Sequence, residues 1–237
     1  MILGEEFDRA GVNTTSLELL FLTYGNALRE LQVHFIVTLP ISLAYSERRS
    51  ELPVPDERVF CLPDIPVFDP QHAPHGPGRS AVRAILEARA SPELFGSGAM
   101  ERLVVASGGN IRDLVALTVM ATTNALVRNP LGRVEDEDVT TAVRRRRTDY
   151  LRSLGQSPYD GGEITYEAKV ERLVRIYDQD PTAQSPDPVL YSLFRARAVQ
   201  EFNGERWFGV HPLVVDLLAR QGKVARTPDG VAPGGTE

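Results

Sequence analysis

The sequence is poor in cysteine and lysine and contains no long apolar run. Cys61 is the single cysteine, which excludes an intramolecular disulfide, and its apolar neighbours predict a buried thiol. No uninterrupted apolar stretch approaches the roughly 18 to 20 residues of a membrane-spanning helix, and acidic residues follow residues 1–4 before any basic segment. We therefore expect a cytoplasmic protein without a membrane partner.

The chain is not strongly basic. Its formal net charge is −6 over 237 residues, and Lys169 and Lys223 are its only lysines. This balance argues against a uniformly basic surface for nucleic acid and leaves room only for a local patch. With 42% hydrophobic residues the chain can bury a sizeable core, and its length corresponds to one or two domains.

The N-terminal part of the sequence carries helix and strand patterns in turn. Leucine and aromatic residues at three- and four-residue spacings predict a helix over 16–31. The apolar runs 33–38 and 58–62, each followed within two residues by proline, predict two buried strands. Strands joined through a helix favour a parallel α/β layer. A proline-rich loop is predicted over 64–78.

Beyond this loop the pattern becomes helical. Alanine, leucine and valine recur at helical spacing in four segments separated by glycine or proline, namely 79–90, 98–106, 110–127 and 135–154. These segments predict a helical domain. Two further helices are predicted over 163–177 and 189–195.

The C-terminal part contains a hairpin signal. Asn-Gly at 203–204 separates the β-prone runs 199–202 and 205–208, and this dipeptide is the strongest short signal for a hairpin. Trp207 and Phe208 are expected to pack the hairpin onto its helices. A helix with proline in its first turn is predicted over 212–220. Helices with a two-stranded wing favour a winged-helix module, which either contacts DNA or serves as a protein-interaction piece.

The segment 107–114, Ser-Gly-Gly-Asn-Ile-Arg-Asp-Leu, is the most informative stretch. A glycine-rich start to an amphipathic helix, with Arg112 one turn inside, suits a lid that faces phosphate. Spacing alone also allows a simpler interpretation, an arginine near a helix start that pairs with an acid. The Gly-x-x-x-x-Gly-Lys-Ser/Thr loop that grips nucleotide phosphates is absent from these 237 residues.

In this order the pieces resemble the C-terminal part of an AAA+ type P-loop ATPase with an origin-recognition-like lid and a winged helix, over nearly the whole chain. The resemblance implies a predominantly α fold with a partial parallel α/β P-loop core. It divides the chain into a partial ATPase core at 1–70, a helical lid at 79–155, a winged-helix-like domain at 160–222 and a disordered tail at 223–237.

The resemblance also implies functional roles for individual residues. Glu5 and Asp8 stand where the family has its Walker B acids, and Thr38 stands at the sensor 1 position that orients the attacking water. Arg112 corresponds to sensor 2, which reaches the γ-phosphate from the lid. The remaining implied residues are Gly108 and Gly109, next to the nucleotide, and Arg48 and Arg49, near the position of a trans-acting arginine finger.

The departures from the family pattern predict an incomplete enzyme. Intact relatives bind ATP and Mg²⁺ and couple them to a conformational change, but the missing loop and Glu5 in place of an aspartate remove the phosphate cradle and weaken the magnesium site. We expect no ATP hydrolysis by this chain alone. Three interpretations stay open: a truncated ATPase, a split ATPase completed by a P-loop-bearing chain or by self-association, and a winged-helix DNA-binding or regulatory protein with a vestigial lid.

Several residues also have simpler roles. Thr38 can be a strand-end hydroxyl bound to backbone, and Glu5 and Asp8 can be solvated acids. The arginine run 144–147 follows an acidic start in the same predicted helix, so it is expected to complement the helix dipole. The rival role of this run is contact with DNA phosphates.

Overall fold

The computed structural model describes residues 2–4, 18–46, 48–155, 160, 164–202 and 207–225. In these ranges the chain is mostly helical and forms a small two-stranded antiparallel sheet, as predicted for a predominantly α fold. A second pair of short strands is parallel. None of the described helices has the length and apolar composition needed to cross a membrane.

The N-terminal part pairs two strands around helical turns. Strand β1, Ile2–Gly4, pairs in parallel with β2, Phe35–Val37, which lies within the predicted strand 33–38. Between them the structure has a π-helical turn, Leu19–Thr23, and helix α1, Gly25–Glu30. The helix predicted over 16–31 is thus interrupted at Tyr24, outside the helical φ and ψ range with φ −98° and ψ 12°.

The prediction of a buried strand over 58–62 was wrong. This segment follows a 3-10 turn, Asp56–Arg58, and is irregular, with Phe60 84% and Leu62 90% exposed. Cys61 is also exposed rather than buried, and its thiol lies 3.4 Å from Oε2 of Glu201. A short apolar run becomes a buried strand only if a neighbouring strand and a covering layer exist, and β2 pairs with β1 instead.

Four helices fill the middle of the chain and follow their sequence signals closely. They are α3, Gly76–Glu87; α4, Ala99–Ala106; α5, Ile111–Arg128; and α6, Asp136–Leu154. The His75 side chain caps α3, and Glu135 and Asp138 form a capping box at the start of α6. Helix α5 packs along α6, which also contacts α4.

The C-terminal part places the predicted hairpin among helices. Its elements are α7, Tyr166–Tyr177; α8, Pro188–Arg195; β3, Val199–Phe202; β4, Trp207–Val210; and α9, Pro212–Arg220. Strands β3 and β4 pair antiparallel, with Phe202 opposite Trp207. Phe208 is fully buried, and its ring meets those of Tyr45 and Phe194 edge-on, so it packs the hairpin onto its helices as predicted.

The apolar core has two clusters. The larger one takes residues from α3 through α9 and the hairpin. The smaller one holds Phe21, Leu22, Leu43 and Leu52 near the N-terminal strands. Helix α2, Ile41–Ala44, joins them, because Leu43 belongs to the small cluster while its neighbours pack on the large one.

Candidate functional site

The glycine pair that precedes α5 forms a tight left-handed turn. Gly108 and Gly109 have φ values of +62° and +78°, which residues with a side chain rarely adopt. A Cβ on Gly109 would lie 1.6 Å from the carbonyl oxygen of Ile65, and one on Gly108 would lie 2.8 Å from Oε1 of Gln200. The turn therefore packs directly against the loop that precedes α3 and against β3.

Helix α5 begins just after this turn, and Arg112 lies exposed in its first turn. The Asn110 side chain accepts a hydrogen bond from the Asp113 N–H at 3.1 Å and caps the helix. The N–H groups and the helix dipole give this end a partial positive charge, to which Arg112 adds a full one. These charges favour an anion at the exposed first turn of α5, and the carboxylates of Asp113 and Asp64 at the same helix start oppose it.

A polar cluster of one buried and two partly buried side chains holds the glycine turn in place. Nδ2 of Asn110 donates to Oδ1 of Asp64 at 2.9 Å, and Nε2 of Gln200 donates to Oδ2 of Asp64 at 2.5 Å. The same Gln200 nitrogen donates to the Gly108 carbonyl oxygen at 3.1 Å. Burial raises the pKa of Asp64, although the two amide donors oppose this. The cluster fastens the turn to the hairpin.

A second buried network centres on Asp113, the residue after Arg112. Its Oδ1 accepts from Nη2 of Arg146 at 2.5 Å, and its Oδ2 accepts from the Tyr150 hydroxyl at 2.7 Å. Oδ2 also lies 3.1 Å from Nε2 of His211, and both of these side chains are 1% exposed. The carboxylate thus joins α5 to α6 and to the residue that caps α9.

The hydrogen bonds of His211 define which ring nitrogen carries the proton. Nδ1 accepts the Leu213 N–H at 3.3 Å and so caps α9. Nε2 therefore carries a proton, which it directs at the Ser107 carbonyl oxygen and at Asp113, both 3.1 Å away. The ring stacks on Tyr150 with centroids 4.5 Å apart. His211 thus links the end of α4, the start of α5 and the start of α9.

The surroundings of Asp113 keep it ionised. Burial opposes ionisation, but the hydrogen bonds from His211 and Tyr150 and the charge of Arg146 outweigh it, so the pKa of Asp113 lies well below its ordinary value. The same burial, together with the neighbouring carboxylate, raises the pKa of the Tyr150 hydroxyl. The network is therefore a fixed charge with its partners in place, which suits a rigid connection between helices.

The arginine run 144–147 does not complement the helix dipole, so that expectation was wrong. The run lies in the middle of α6, whose last turn contains Arg152 instead. Arg146 belongs to the network above, and Arg147 pairs with Asp216 of α9 at 2.5 Å. Two of the four arginines therefore connect helices, while the other two are exposed.

Thr38 and Arg112, the predicted phosphate sensors, lie beside different core clusters. Thr38 follows β2 directly and is exposed, and its neighbours Val37 and Leu39 pack against the smaller cluster. The buried face of α5, including Leu114, belongs to the larger cluster. Gly108 and Gly109 precede α5 and Arg112 lies in its first turn, so these three predicted residues lie close together.

The predicted arginine-finger residues lie between β2 and the irregular segment. Arg48 binds Glu51 through Nε and Nη2 at 2.9 and 2.5 Å, and both side chains are exposed. Arg49 begins the 3-10 turn Arg49–Glu51 and is partly buried. Arg48 is thus engaged locally in this conformation.

The predicted magnesium ligands, Glu5 and Asp8, lie outside the described residues. Within the described ranges no group of three or more His, Cys, Asp or Glu side chains is arranged to hold a metal ion. His72 and His75 form an H-x-x-H pair in the sequence, but in the structure each of them has a different contact. His72 stacks on Tyr177, and His75 caps α3.

No family model, curated protein or solved structure matches this chain. Among the buried residues that shape the site, sequence reasoning did not single out Asp113, Tyr150 or His211. Asp113 looks like an ordinary first-turn acid, and the other two lie far along the chain. The sequence did carry one signal for His211, because this residue precedes Pro212 and therefore stands at the N-cap position of a predicted helix.

Proposed function

We propose that this chain is a segment of an AAA+ type ATPase, truncated or split from its phosphate-gripping loop. In this role Arg112 contacts the triphosphate, and the start of α5 passes the signal to the C-terminal helices. The observation that carries the proposal concerns two consecutive residues. Arg112 is exposed, whereas Asp113 is buried and bound to α6 and to the cap of α9. An anion bound by Arg112 acts on α5, and Asp113 couples α5 to the hairpin region.

The parallel pairing of β1 with β2 supports the proposal. In the family resemblance these two strands carry the Walker B acids and sensor 1, and the strands of such a core are parallel. Thr38 follows the carboxyl end of β2, and ligands of parallel α/β sheets bind beyond that end of the strands. The order of strand, polar residue and lid thus agrees with an ATPase core.

The proposed segment does not hydrolyse ATP by itself. Phosphoryl transfer depends on a phosphate cradle and a bound Mg²⁺, and the sequence contains no Gly-x-x-x-x-Gly-Lys-Ser/Thr loop. The cradle comes from outside these 237 residues, on a P-loop-bearing partner or in another part of the same ATPase. Arg112, with Arg48 or Arg49, then acts on a nucleotide that the partner holds.

An anion-binding test addresses the role of Arg112 directly. We expect 10 mM tripolyphosphate, at constant ionic strength, to raise the melting temperature of the chain by about 3 to 5 °C, because an anion with a Kd of about 1 mM stabilises the folded state by about 1.4 kcal/mol. Arg112→Ala should abolish most of this shift. Differential scanning fluorimetry measures the shift relative to each variant's own baseline.

Arg133→Ala is the matched control, because Arg133 is also exposed but lies in the loop before α6. It should keep the full shift. Equal shifts for both variants, or none for the unmodified chain, would contradict the proposed role of Arg112. Micromolar binding of MgATP by the chain alone would overturn the expectation that the phosphate cradle is supplied from outside.

DNA binding is the second candidate function, and one observation on α6 favours it. Arg144 and Arg145 are exposed on α6, and within the described ranges neither side chain makes a hydrogen bond or ion pair. Adjacent exposed arginines suit DNA phosphates, a contact that depends steeply on salt. Arg206, in the predicted wing, lies outside the described residues.

For DNA binding we expect association with a 20-base-pair duplex at 50 mM salt that weakens steeply as salt rises. The double variant Arg144→Ala/Arg145→Ala should lower the slope of log K against log salt by about 2, since each lost phosphate contact removes about 0.9. Fluorescence anisotropy measures both. The control double variant Arg89→Ala/Arg133→Ala should leave the slope unchanged, and a chain that does not bind at low salt would rule out this function.

A further inference from the structure

A cleft lies between the hairpin and the loop that precedes α3. The space between its walls, including the solvent at its open mouth, measures about 480 Å³. One wall comes from Phe68 and His72 with Tyr177 at the end of α7, and another comes from Phe202 and Trp207 of the hairpin. The start of α9 completes the lining. Gly108 of the glycine turn also lines the cleft, whereas Arg112 does not, so an inference about the cleft does not rest on an anion bound by Arg112.

Aromatic rings dominate both walls. His72 and Tyr177 stack nearly parallel, with centroids 3.9 Å apart and an angle of 9°. Phe202 and Trp207 stack with centroids 4.4 Å apart. In each pair one ring covers one face of the other. Aromatic ring faces carry negative charge density, so rings in a cleft wall favour a cation that is partly removed from water.

The charge of the lining also favours a cation. Asp69 contributes a carboxylate, and the described lining contains no lysine or arginine. Oδ1 of Asp69 accepts the N–H groups of Gln71 and Ala73 at 2.9 and 2.8 Å, which fixes the side chain in the loop. Just outside this lining, the Arg79 guanidinium lies over the Phe68 ring, 4.8 Å from its centroid, and is paired with Glu101. The carboxylate of Asp69 therefore favours a positively charged group over a phosphate or carboxylate.

The two glutamines of the lining present acceptors. Nε2 of Gln179 donates to the carbonyl oxygens of Ile176 and Phe208 at 3.1 and 3.2 Å. Nε2 of Gln200 is used by Asp64 and by the Gly108 carbonyl oxygen. Both amide nitrogens are thus committed within the protein, and within the described ranges neither Oε1 accepts a hydrogen bond. Both glutamines line the cleft, so a ligand that supplies N–H donors is complementary to their acceptors.

The backbone around the cleft is strained. Three non-glycine residues of the described chain have positive φ, and two of them, His72 at 63° and Gln179 at 58°, line the cleft. Such conformations persist where the surroundings enforce them, and they are common at ligand sites. The stack of His72 on Tyr177 and the two hydrogen bonds of Gln179 are the contacts that enforce them here.

We propose that this cleft binds a guanidinium group. A guanidinium is flat enough to lie against stacked rings, carries a delocalised positive charge for Asp69, and has five N–H donors for the free amide oxygens. The group belongs either to a small guanidine compound or to an arginine side chain of a polypeptide. The cleft thus acts as a recognition pocket beside the hairpin.

Trp207 makes the proposal directly measurable, because it is the only tryptophan of the chain and lies in the cleft. Two probes are titrated while tryptophan fluorescence is recorded: agmatine, a small guanidine, and N-acetyl-arginine methylamide, an arginine in a peptide setting. We expect a saturable change with at least one of them. The citrulline analogue of the second probe has the same shape without charge and should bind at least about 10-fold more weakly, a difference of about 1.4 kcal/mol.

Variants test whether the binding takes place in the cleft. Asp69→Asn keeps the Oδ1 acceptor for the loop but removes the charge, and it should weaken agmatine binding about 5-fold or more. Asp178→Asn removes the same charge from an exposed position just outside the lining and should change binding less than about 2-fold. Trp207→Leu, titrated by calorimetry, should weaken binding about 3-fold or more through the lost ring face.

The outcomes separate clearly. Tighter binding of agmatine than of the peptide probe identifies a small guanidine as the ligand, and the reverse identifies an arginine side chain. The proposal is overturned if neither probe gives a saturable change, if the citrulline analogue binds equally well, or if Asp69→Asn and Asp178→Asn behave alike. None of these results depends on whether Arg112 binds polyphosphate.

Discussion

Gly109→Ala is expected to destabilise the protein by about 3 to 5 kcal/mol, which corresponds to a fall in melting temperature of about 10 °C. Two costs add at this position. The backbone has φ +78°, which costs about 1 to 2 kcal/mol for a residue with a Cβ. The Cβ would also lie 1.6 Å from the Ile65 carbonyl oxygen, a backbone atom that cannot move without shifting the loop that holds Asp64.

Gly98→Ala separates the two costs. Gly98 has nearly the same backbone angle, φ +76°, but a Cβ there would meet nothing within 4 Å. It should therefore show only the conformational cost of about 1 to 2 kcal/mol. Urea unfolding of both variants measures the difference. Similar losses in the two variants would mean that the loop around Ile65 yields to the new methyl group, and that the glycine turn is not closely packed.

This expectation changes the interpretation of the glycine pair. The family resemblance placed Gly108 and Gly109 next to a nucleotide. In the structure the positions that would carry their side chains are filled by Ile65 and Gln200. The pair therefore has a packing reason of its own. Its N–H groups are bonded within the protein, to the Val105 carbonyl oxygen and the Ser107 hydroxyl, so a nucleotide contact at this end of α5 falls to the first turn of the helix, where Arg112 lies.

Local signals account for the elements that the sequence predicted well. Helix α9 begins and ends at the predicted residues, because Pro212 stands at its first turn and apolar residues recur at helical spacing after it. Helix α5 shifts by a single residue from its prediction, since Asn110 is a clear N-cap. Strand β3 matches the predicted run 199–202, whereas β4 begins two residues later than the predicted run 205–208, so four residues rather than Asn-Gly alone separate the paired Phe202 and Trp207.

Elements that depend on distant partners could not be predicted in this way. The segment around Phe60 has the composition of a strand but lacks a neighbouring strand, so it is exposed. Arg146 looked like a helix-end cation, yet its partner is Asp113 on another helix. Likewise, the contact of Asp113 with His211 is invisible to any periodicity, because only the tertiary fold brings α5 and α9 together.

Contacts between residues that are far apart in the sequence also hold the start of α5 in place. Around the start of α5, Asp64 fastens the glycine turn to β3, and Asp113 fastens the helix to α6 and α9. An exposed Arg112 between two buried anchors can transmit a displacement only if those anchors are stiff. Hydrogen-bonded carboxylates in a buried setting supply that stiffness.

Asp113→Asn is expected to cost about 3 kcal/mol of folding stability at pH 7, or a fall in melting temperature of about 6 to 12 °C. The change leaves the Arg146 guanidinium beside a neutral amide. It also sets an amide N–H against the donors of Tyr150 or His211. We place the loss at the lower end of the range for a broken buried pair because the Arg146 side chain is 23% exposed.

Asp149→Asn is the matched control. Asp149 is the other carboxylate beside Arg146, at 3.8 Å, but its side chain is 43% exposed. Solvent screening limits such a pair to about 0 to 1 kcal/mol. Urea unfolding should therefore show a large loss for Asp113→Asn and a small one for Asp149→Asn. Equal losses would mean that the charge of Arg146, rather than the buried network, determines the effect.

The difference in folding stability between the unmodified chain and Asp113→Asn should depend on pH, and this dependence gives a second test of the same network. The folded-state pKa of Asp113 is lowered, so its ionised form contributes stability fully at pH values above the unfolded-state pKa of about 3.9. This contribution is lost as pH falls towards the folded-state value. The stability gap between the unmodified chain and Asp113→Asn should therefore be constant from about pH 5 to pH 7 and should narrow below about pH 4. A gap that stays constant down to pH 3 would show that the charge of Asp113 is not what holds α5, α6 and α9 together.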